Sequence, residues 1–221
     1  MIQLIPLLFI GIVILLLISL FIVLKRSYAT YKTLFLGILG WLLFTGLLAK
    51  TGVLMNFNTY PPAMAIIIVP IIILLLYITR SKHILALCQT TSHAFLVYIQ
   101  SFRMIMEVIL YVLASQHIIP EIMTWNGRNI DILIGLTAPF IGYYCCHKKI
   151  GSPLIIRVWN YLGIILLLNV FIHGLLSAPF PFQVFMVTPA NTFVATWPYV
   201  WLPGFVVPCA LFFHILALRK K

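Results

Sequence analysis

Acidic residues are almost absent from this sequence, which contains three Asp and Glu residues in a chain of 221. Charged residues of both signs make up 8% of the chain, whereas a soluble domain, whose surface must face water, has roughly a quarter. Apolar residues account for 63%. Because so few charges cannot build a water-facing surface, we expect an integral membrane protein surrounded by the lipid bilayer.

The sequence also lacks the short motifs that identify common reactions. It contains no H-E-x-x-H zinc motif, no G-x-S-x-G nucleophile elbow and no phosphate-binding P-loop. No Cys-x-x-Cys pair occurs, and we expect the four cysteines to pack as free thiols: Cys88, Cys145, Cys146 and Cys209. We therefore expect no cofactor and no metal, and we favour a non-enzymatic protein over an enzyme.

Long apolar runs predict an all-α membrane bundle of about seven transmembrane helices, in a single domain of residues 1–221. A helix needs roughly 20 apolar residues to cross a hydrocarbon core about 30 Å thick, and the strands of a barrel would alternate instead. The spans are expected at about 5–24, 33–49, 61–80, 93–115, 129–146, 153–177 and 197–218. Residues 84–92 are expected to form an interfacial stretch, because Thr90, Thr91 and Ser92 offer capping side chains at a break.

The basic residues predict the orientation of the chain. When the first loop is placed inside, all but three of the 14 Lys and Arg residues fall in cytoplasmic segments; the exceptions are Lys50, Arg103 and Arg128. Since cytoplasmic loops are enriched in Lys and Arg, the N-terminus is predicted outside and the C-terminus in the cytoplasm of a plasma (bacterial inner) membrane. This enrichment explains the net charge of +11 without a nucleic-acid partner.

The predicted spans also allow a 3+1+3 arrangement of parallel repeats. The halves would be residues 1–82 and 129–221, linked by the helical segment 84–115. Val69-Pro70 corresponds to Val207-Pro208, and Gly46-Leu47-Leu48 corresponds to Gly174-Leu175-Leu176. Parallel repeats occur in some transporters, but short apolar matches also arise by chance, so a chain without a repeat is the other interpretation.

The fourth predicted span carries a polar stripe on one helical face. Its members are separated by steps of 4, 7, 3, 4 and 4 residues: Gln89, His93, Gln100, Arg103, Glu107 and Tyr111. A charge inside a bilayer costs about 2.5–3.5 kcal/mol on insertion scales, so we expect the stripe to face the bundle interior and Arg103 to pair with Glu107. Such a pair either serves function or fixes helix packing.

A candidate pathway for a solute or a proton combines this stripe with the sixth span. It consists of Gln100, Arg103 and Glu107 together with Asn169 and His173, which are one turn apart. His173 could relay a proton, or the Asn169–His173 pair could form an ordinary interhelical hydrogen bond. His214, near the inner end of the seventh span, is expected at the membrane interface.

A second polar cluster is expected at the outer interface. Glu121, Arg128 and Asp131 surround the predicted turn between the fourth and fifth spans. They could form a solute entrance or a partner contact, but we favour a loop staple with Asp131 near the positive end of the fifth helix. The uncharged aromatic segment 177–196 is expected to lie on the outer leaflet, with a re-entrant lid as the alternative.

These features support three functions. The first is a small-solute or proton-coupled transporter or channel with its polar site along the fourth helix, and it is the one we favour. The second is a structural or accessory subunit of a membrane complex, with a membrane protein or a second copy of the chain as partner. The third is an intramembrane enzyme that acts on a lipid-soluble substrate.

Overall fold

The computed structural model describes residues 4–27, 31–81, 83–148, 150 and 152–220. The structure is all-helical, with 75% of residues in helices and no strand in these described ranges. Three of the basic residues counted above as cytoplasmic, Lys82, Lys149 and Lys221, lie outside the described residues.

Apart from short 3-10 turns, eight helices form the described part of the fold: α1 Ile5–Ser27, α2 Tyr31–Lys50, α3 Ala65–Arg80, α4 His83–Thr90, α5 His93–Ser115, α6 Ile132–His147, α7 Pro153–Ser177 and α8 Leu202–Arg219. Five of them (α1, α2, α5, α7 and α8) are long and apolar enough to cross a membrane, whereas α3 and α6 are apolar but shorter. The chain therefore has the architecture of a helical membrane protein.

The junction between α4 and α5 lies where the sequence predicts a break. α4 ends at Thr90, and α5 begins at His93. The Ser92 hydroxyl accepts a hydrogen bond of 3.1 Å from the Phe95 backbone N–H, which satisfies one of the free donors at a helix N-terminus. Lys220 Nζ donates to the carbonyls of Cys88 and Thr91, at 2.7 Å each, so the end of α8 is fastened to this junction.

Proline interrupts the regular geometry of α8. The helix begins with a π-helical turn, Leu202–Val206, and Pro208 follows. Because proline has no backbone N–H, it cannot bond the carbonyl four residues earlier, that of Gly204. Trp41 Nε1 of α2 donates to this carbonyl at 3.0 Å, and Trp201 Nε1 donates to the Leu42 carbonyl at 3.0 Å. Two indoles thus join α2 to the irregular part of α8.

Helices α5 and α8 lie at the centre of the bundle. In their apolar stretches 56% and 61% of the residues are buried, against 22% in both α2 and α7. Phe9 and Leu16 of α1 join Leu110 of α5 and Phe213 of α8 in one core cluster. The fourth predicted span, which is α5, is therefore central, and this agrees with the expectation that its polar stripe faces the bundle interior.

Helix α6 begins beside the middle of α5. Gly135 lies so close to the backbone of Arg103 and Met104 that a Cβ would overlap it, and Gly142 packs against the Tyr98 ring. The connection 116–131 therefore runs along the C-terminal half of α5. Non-helical backbone at such a position needs internal hydrogen bonds, and the turn provides them from Gly127 N to Thr124 O at 2.9 Å and from Asn129 N to Thr124 O at 3.1 Å.

The aromatic segment between α7 and α8 folds onto the end of α7. The backbone N–H groups of Val184 and Phe185 both donate to the Leu176 carbonyl at 3.0 Å. Asn191 Nδ2 donates to the Gly174 carbonyl at 2.8 Å. Phe193, near the end of this segment, is buried in the main core cluster. The segment is therefore packed against the bundle.

We expect Gly135→Ala to destabilise the protein by about 1–3 kcal/mol, because the new methyl overlaps the α5 backbone and the core must give way. Gly37→Ala is the matched control, since its Cβ would meet no atom within 4 Å and alanine favours a helix by up to about 1 kcal/mol. Thermal unfolding in detergent, followed by circular dichroism, compares the two. Equal shifts in Tm would contradict the close α5–α6 contact.

Candidate functional site

The centre of the bundle contains a buried guanidinium. Arg103 of α5 is 2% exposed, and its Nε donates to Asp131 Oδ2 at 2.7 Å. Its Nη2 donates to Asp131 Oδ1 and, at 3.3 Å, to the Gly163 carbonyl of α7. This two-pronged arrangement is the strong form of an arginine–carboxylate pair, and it binds α5 to the start of α6.

Two predictions about these charges are wrong. Arg103 pairs with Asp131 and not with Glu107, and this is the one ion pair formed among the described residues. Asp131 also does not lie with Glu121 and Arg128 as a helix cap: it is 5% exposed, its carboxylate bonds Arg103 in the middle of α5, and its side chain forms no cap on α6. The reason is the position of α6: its first turn lies at the depth of Arg103, where the carboxylate can face both nitrogens of the guanidinium.

His214 of α8 extends the network on the other side of Arg103. We expected this residue at the membrane interface, but it is completely buried. Its Nε2 lies 2.8 Å from Arg103 Nη1, and its Nδ1 lies 2.8 Å from Asn160 Oδ1. Because arginine can only donate, Nε2 is the acceptor and the proton is on Nδ1. The imidazole is therefore neutral in this arrangement, and it binds α8 to α7.

The position of His214 depends on a glycine. A Cβ at Gly163 would overlap the imidazole ring, so any larger residue at this position in α7 would displace the ring. The Gly163 carbonyl also accepts from Arg103. Gly163 thus provides space for one member of the network and an acceptor for another.

Glu107 forms the other end of the network. It is 2% exposed, and its Oε1 accepts from Asn129 Nδ2 at 2.7 Å. The same Asn129 amide donates to the Met123 carbonyl at 2.9 Å and, through Oδ1, accepts from the Asp131 backbone N–H at 3.0 Å. Glu107 Oε2 is buried without a hydrogen-bond partner in the described part of the chain. This oxygen is therefore free to bind a proton or to accept another hydrogen bond.

The polar stripe runs from the end of α4 along α5, and it is buried in its middle and exposed at its two extreme members. Gln100, Arg103 and Glu107 are buried, as predicted. Gln100 Nε2 donates to the Ala210 carbonyl of α8 at 3.0 Å, while its Oε1 has no partner among the described residues. Gln89, which precedes the helix break, and Tyr111, near the C-terminal end of α5, are exposed.

The structure does not join Asn169 and His173 to this network. Asn169 Nδ2 donates to the Arg128 carbonyl at 2.8 Å, and His173 Nδ1 lies 2.8 Å from the Asn169 carbonyl in the same helix. The His173 ring stacks on Phe185 with centroids 5.2 Å apart. These two residues form a contact between α7 and the two connecting segments, and neither forms the interhelical hydrogen bond that was the alternative for the pair.

The remaining members of the predicted outer cluster are exposed. The Arg128 guanidinium lies over the Phe185 ring, 5.2 Å from its centroid. Glu121 lines a cavity of about 330 Å³ at the C-terminal end of α5, together with Tyr111, His117, Asn126 and other residues. Arg128 thus contacts the 177–196 segment, whereas Glu121 faces a space large enough for a small molecule.

Sequence reasoning missed Asn129, Asn160 and His214 as members of the network. All three are polar residues within or beside apolar spans, and that is itself a signal that they face the bundle interior. The described residues contain no group of three His, Cys, Asp or Glu side chains that could hold a metal ion. Cys88 and Cys209 are buried thiols.

Residues 61–220 match a protein family described as "Domain of unknown function (DUF8737)". The chain belongs to this family. The match covers α3 to α8 and every member of the buried network, so the DUF8737 region contains the whole candidate site. No curated protein and no solved structure matches the chain.

We expect Arg103→Leu to destabilise the DUF8737 bundle by about 3–5 kcal/mol, since it leaves the Asp131 carboxylate buried without its partner. The double variant Arg103→Leu/Asp131→Leu should recover part of this loss, because it removes both charges. Arg157→Leu, at an exposed arginine of α7, is the control and should change Tm little. The single variant Asp131→Leu completes the comparison. If the loss of stability in the double variant equals the sum of the losses in Arg103→Leu and Asp131→Leu, the two charges do not stabilise one another.

Proposed function

We propose that the protein is a proton-coupled transporter of a small solute in the plasma (bacterial inner) membrane, with Glu107 as the proton-accepting group. The observation that supports this best is a buried polar network in the middle of the bundle. Glu107 accepts from Asn129, and Asn129 accepts from the backbone N–H of Asp131. The Asp131 carboxylate pairs with Arg103, which in turn bonds His214. Ionisable groups inside membrane spans are expensive and characteristically serve ion or proton pathways.

Glu107 is the member best suited to bind a proton. Arg103 and Asp131 already neutralise each other, and both nitrogens of His214 are engaged. Glu107 instead has one carboxylate oxygen without a partner among the described residues, and its hydrogen bond comes from a neutral amide. A proton added there neutralises a buried charge without breaking the Arg103–Asp131 pair.

Asn129 links the protonation of Glu107 to the backbone at the start of α6. Its side chain donates to Glu107 and accepts from the N–H of Asp131, the residue that precedes α6. Neutral Glu107 accepts this hydrogen bond less strongly than the carboxylate, because bonds to charged groups are roughly twice as strong. Protonation therefore loosens the attachment of the α6 N-terminus to α5, and that is the movement we assign to coupling.

Glu107→Gln should lower proton flux at least about tenfold, because the amide keeps the bond from Asn129 but cannot take up the proton. The measurement uses purified protein in liposomes, a potassium diffusion potential and a pH-sensitive dye inside. Glu107→Asp should restore part of the flux.

The control for this experiment is Arg157→Gln, which removes an exposed charge from a transmembrane helix and should conduct like the wild type. Size-exclusion profiles and Tm values establish that each variant is folded. Equal flux in Glu107→Gln and the wild type, or no flux in the wild type above empty liposomes, would rule out the proposed role of Glu107.

An accessory subunit is the second candidate, and one observation favours it. The Arg103 guanidinium is bonded to Asp131, to His214 and to the Gly163 carbonyl, so the network joins α5, α6, α7 and α8 as a packing device. On this alternative the wild type shows no proton flux, and it co-purifies with a membrane protein or with a second copy of the chain.

The geometry gives least support to an intramembrane enzyme. That function requires a cavity bordered by Glu107, Asp131 or His173, and none of the three lines either cavity described in the structure. The smaller cavity, of about 60 Å³, is bordered by apolar residues of α3, α7, α8 and the connecting segments and by Asn191. Neither cavity therefore presents the ionisable groups of the network to a lipid-soluble substrate.

The proposed topology has seven spans, of which α3 and α6 are the short ones. Single cysteines at Thr59 and Gln116, on a background without the native cysteines, should react with a membrane-impermeant maleimide outside intact cells. Cysteines at Lys148 and Arg219 should react only after permeabilisation. With five spans alone, α5 would run the other way and Gln116 would face the cytoplasm, so protection of Gln116 would contradict the seven-span arrangement.

A further inference from the structure

The cavity at the C-terminal end of α5 brings together polar side chains that have no bonding role in the described fold. Glu121, His117, Asn126 and Thr188 line it, and all four are exposed. No hydrogen bond joins the side chain of any of them to another described residue. The cavity measures about 330 Å³, within the range of small-ligand sites.

The charge of this cavity is negative. Glu121 is the one carboxylate among its lining residues, and no Lys or Arg lines it. Arg128, the basic residue of the same connecting segment, lies over the Phe185 ring. In a chain of net charge +11, a cavity with an unneutralised carboxylate is an exception that favours a cationic ligand.

An aromatic side chain accompanies the carboxylate. Tyr111 lines the cavity, and its ring is held in place by parallel stacking on Trp125, with centroids 4.5 Å apart and planes 10° apart. A carboxylate and a fixed aromatic ring in the lining of one cavity suit an ammonium group, since the ring face attracts a cation. The amide and hydroxyl groups of Asn126 and Thr188 can hydrogen-bond a polar tail of the same ligand.

The cavity is also connected to the proton-accepting group. Buried Thr124 belongs to its lining, and the neighbouring Met123 carbonyl accepts from the Asn129 amide that bonds Glu107. Tyr111 is one helical turn beyond Glu107 on α5. A ligand in the cavity therefore contacts the same short segment of chain that holds the Glu107 network.

From these observations we infer that the cavity binds a small organic cation, an ammonium compound with a polar tail, as the solute of the transporter. The inference rests on the proposed function for the passage of that solute, but binding itself is independent of proton flux. In this inference the Glu121 carboxylate pairs with the positive charge of the ligand, and the Tyr111 ring packs against its ammonium group.

Choline serves as the probe, and 3,3-dimethyl-1-butanol, which has the same shape without the charge, is its neutral counterpart. Binding to the purified full-length protein is measured by isothermal titration calorimetry. We expect choline to bind at least about tenfold more tightly than the neutral compound, and Glu121→Gln to weaken choline binding at least about fivefold, as expected for the loss of one close charge.

Asn56→Lys is the matched control, because it changes the net charge by the same +1 at an exposed residue of the 51–64 loop and should leave choline binding unchanged. Equal binding of the two probes, no detectable choline binding, or equal weakening by Glu121→Gln and Asn56→Lys would each overturn the inference. Binding without proton flux would reject the proposed function instead, and flux without binding would reject the organic cation alone.

Discussion

The whole arrangement depends on one electrostatic constraint, the burial of Arg103 in the middle of a membrane bundle. A guanidinium cannot be taken out of water without a partner, because the effective penalty is several kcal/mol for each ion. Asp131 provides that partner, and it does so only because α6 begins at the depth of Arg103. The short α6, the connection that runs along α5 and the close approach of Gly135 all follow from bringing this carboxylate to the guanidinium.

The central position of α8 has a similar physical origin. Its π-helical turn and its proline leave backbone groups without helical partners, and lipid cannot satisfy them. Trp41 bonds the Gly204 carbonyl that Pro208 leaves free, while His214 faces Arg103 farther along the same helix. An irregular helix is therefore stable here because its imidazole and the backbone groups that lack helical partners both face protein.

Sequence reasoning predicted the elements better than their contacts. The break at Ser92 follows from local capping chemistry, and the burial of Arg103 and Glu107 follows from helical spacing and the cost of charge in lipid, so both are confirmed. Spacing on one helix shows which face is polar but not which residue lies opposite. The true partners of Arg103 are 28 and 111 positions away, and their approach depends on how α6 and α8 pack, which no local pattern contains. The repeat and the seven-span topology stay predictions.

The unequal distances of these two partners along the chain have a consequence for biosynthesis. At about 5–20 residues per second, Asp131 is synthesised roughly 1–6 s after Arg103, whereas His214 follows after roughly 6–22 s. Asp131 is thus available to neutralise Arg103 well before His214 has been synthesised. Pairing at that stage lowers the cost of placing the arginine-bearing α5 in the bilayer, because an unpaired buried charge is more expensive than a paired one.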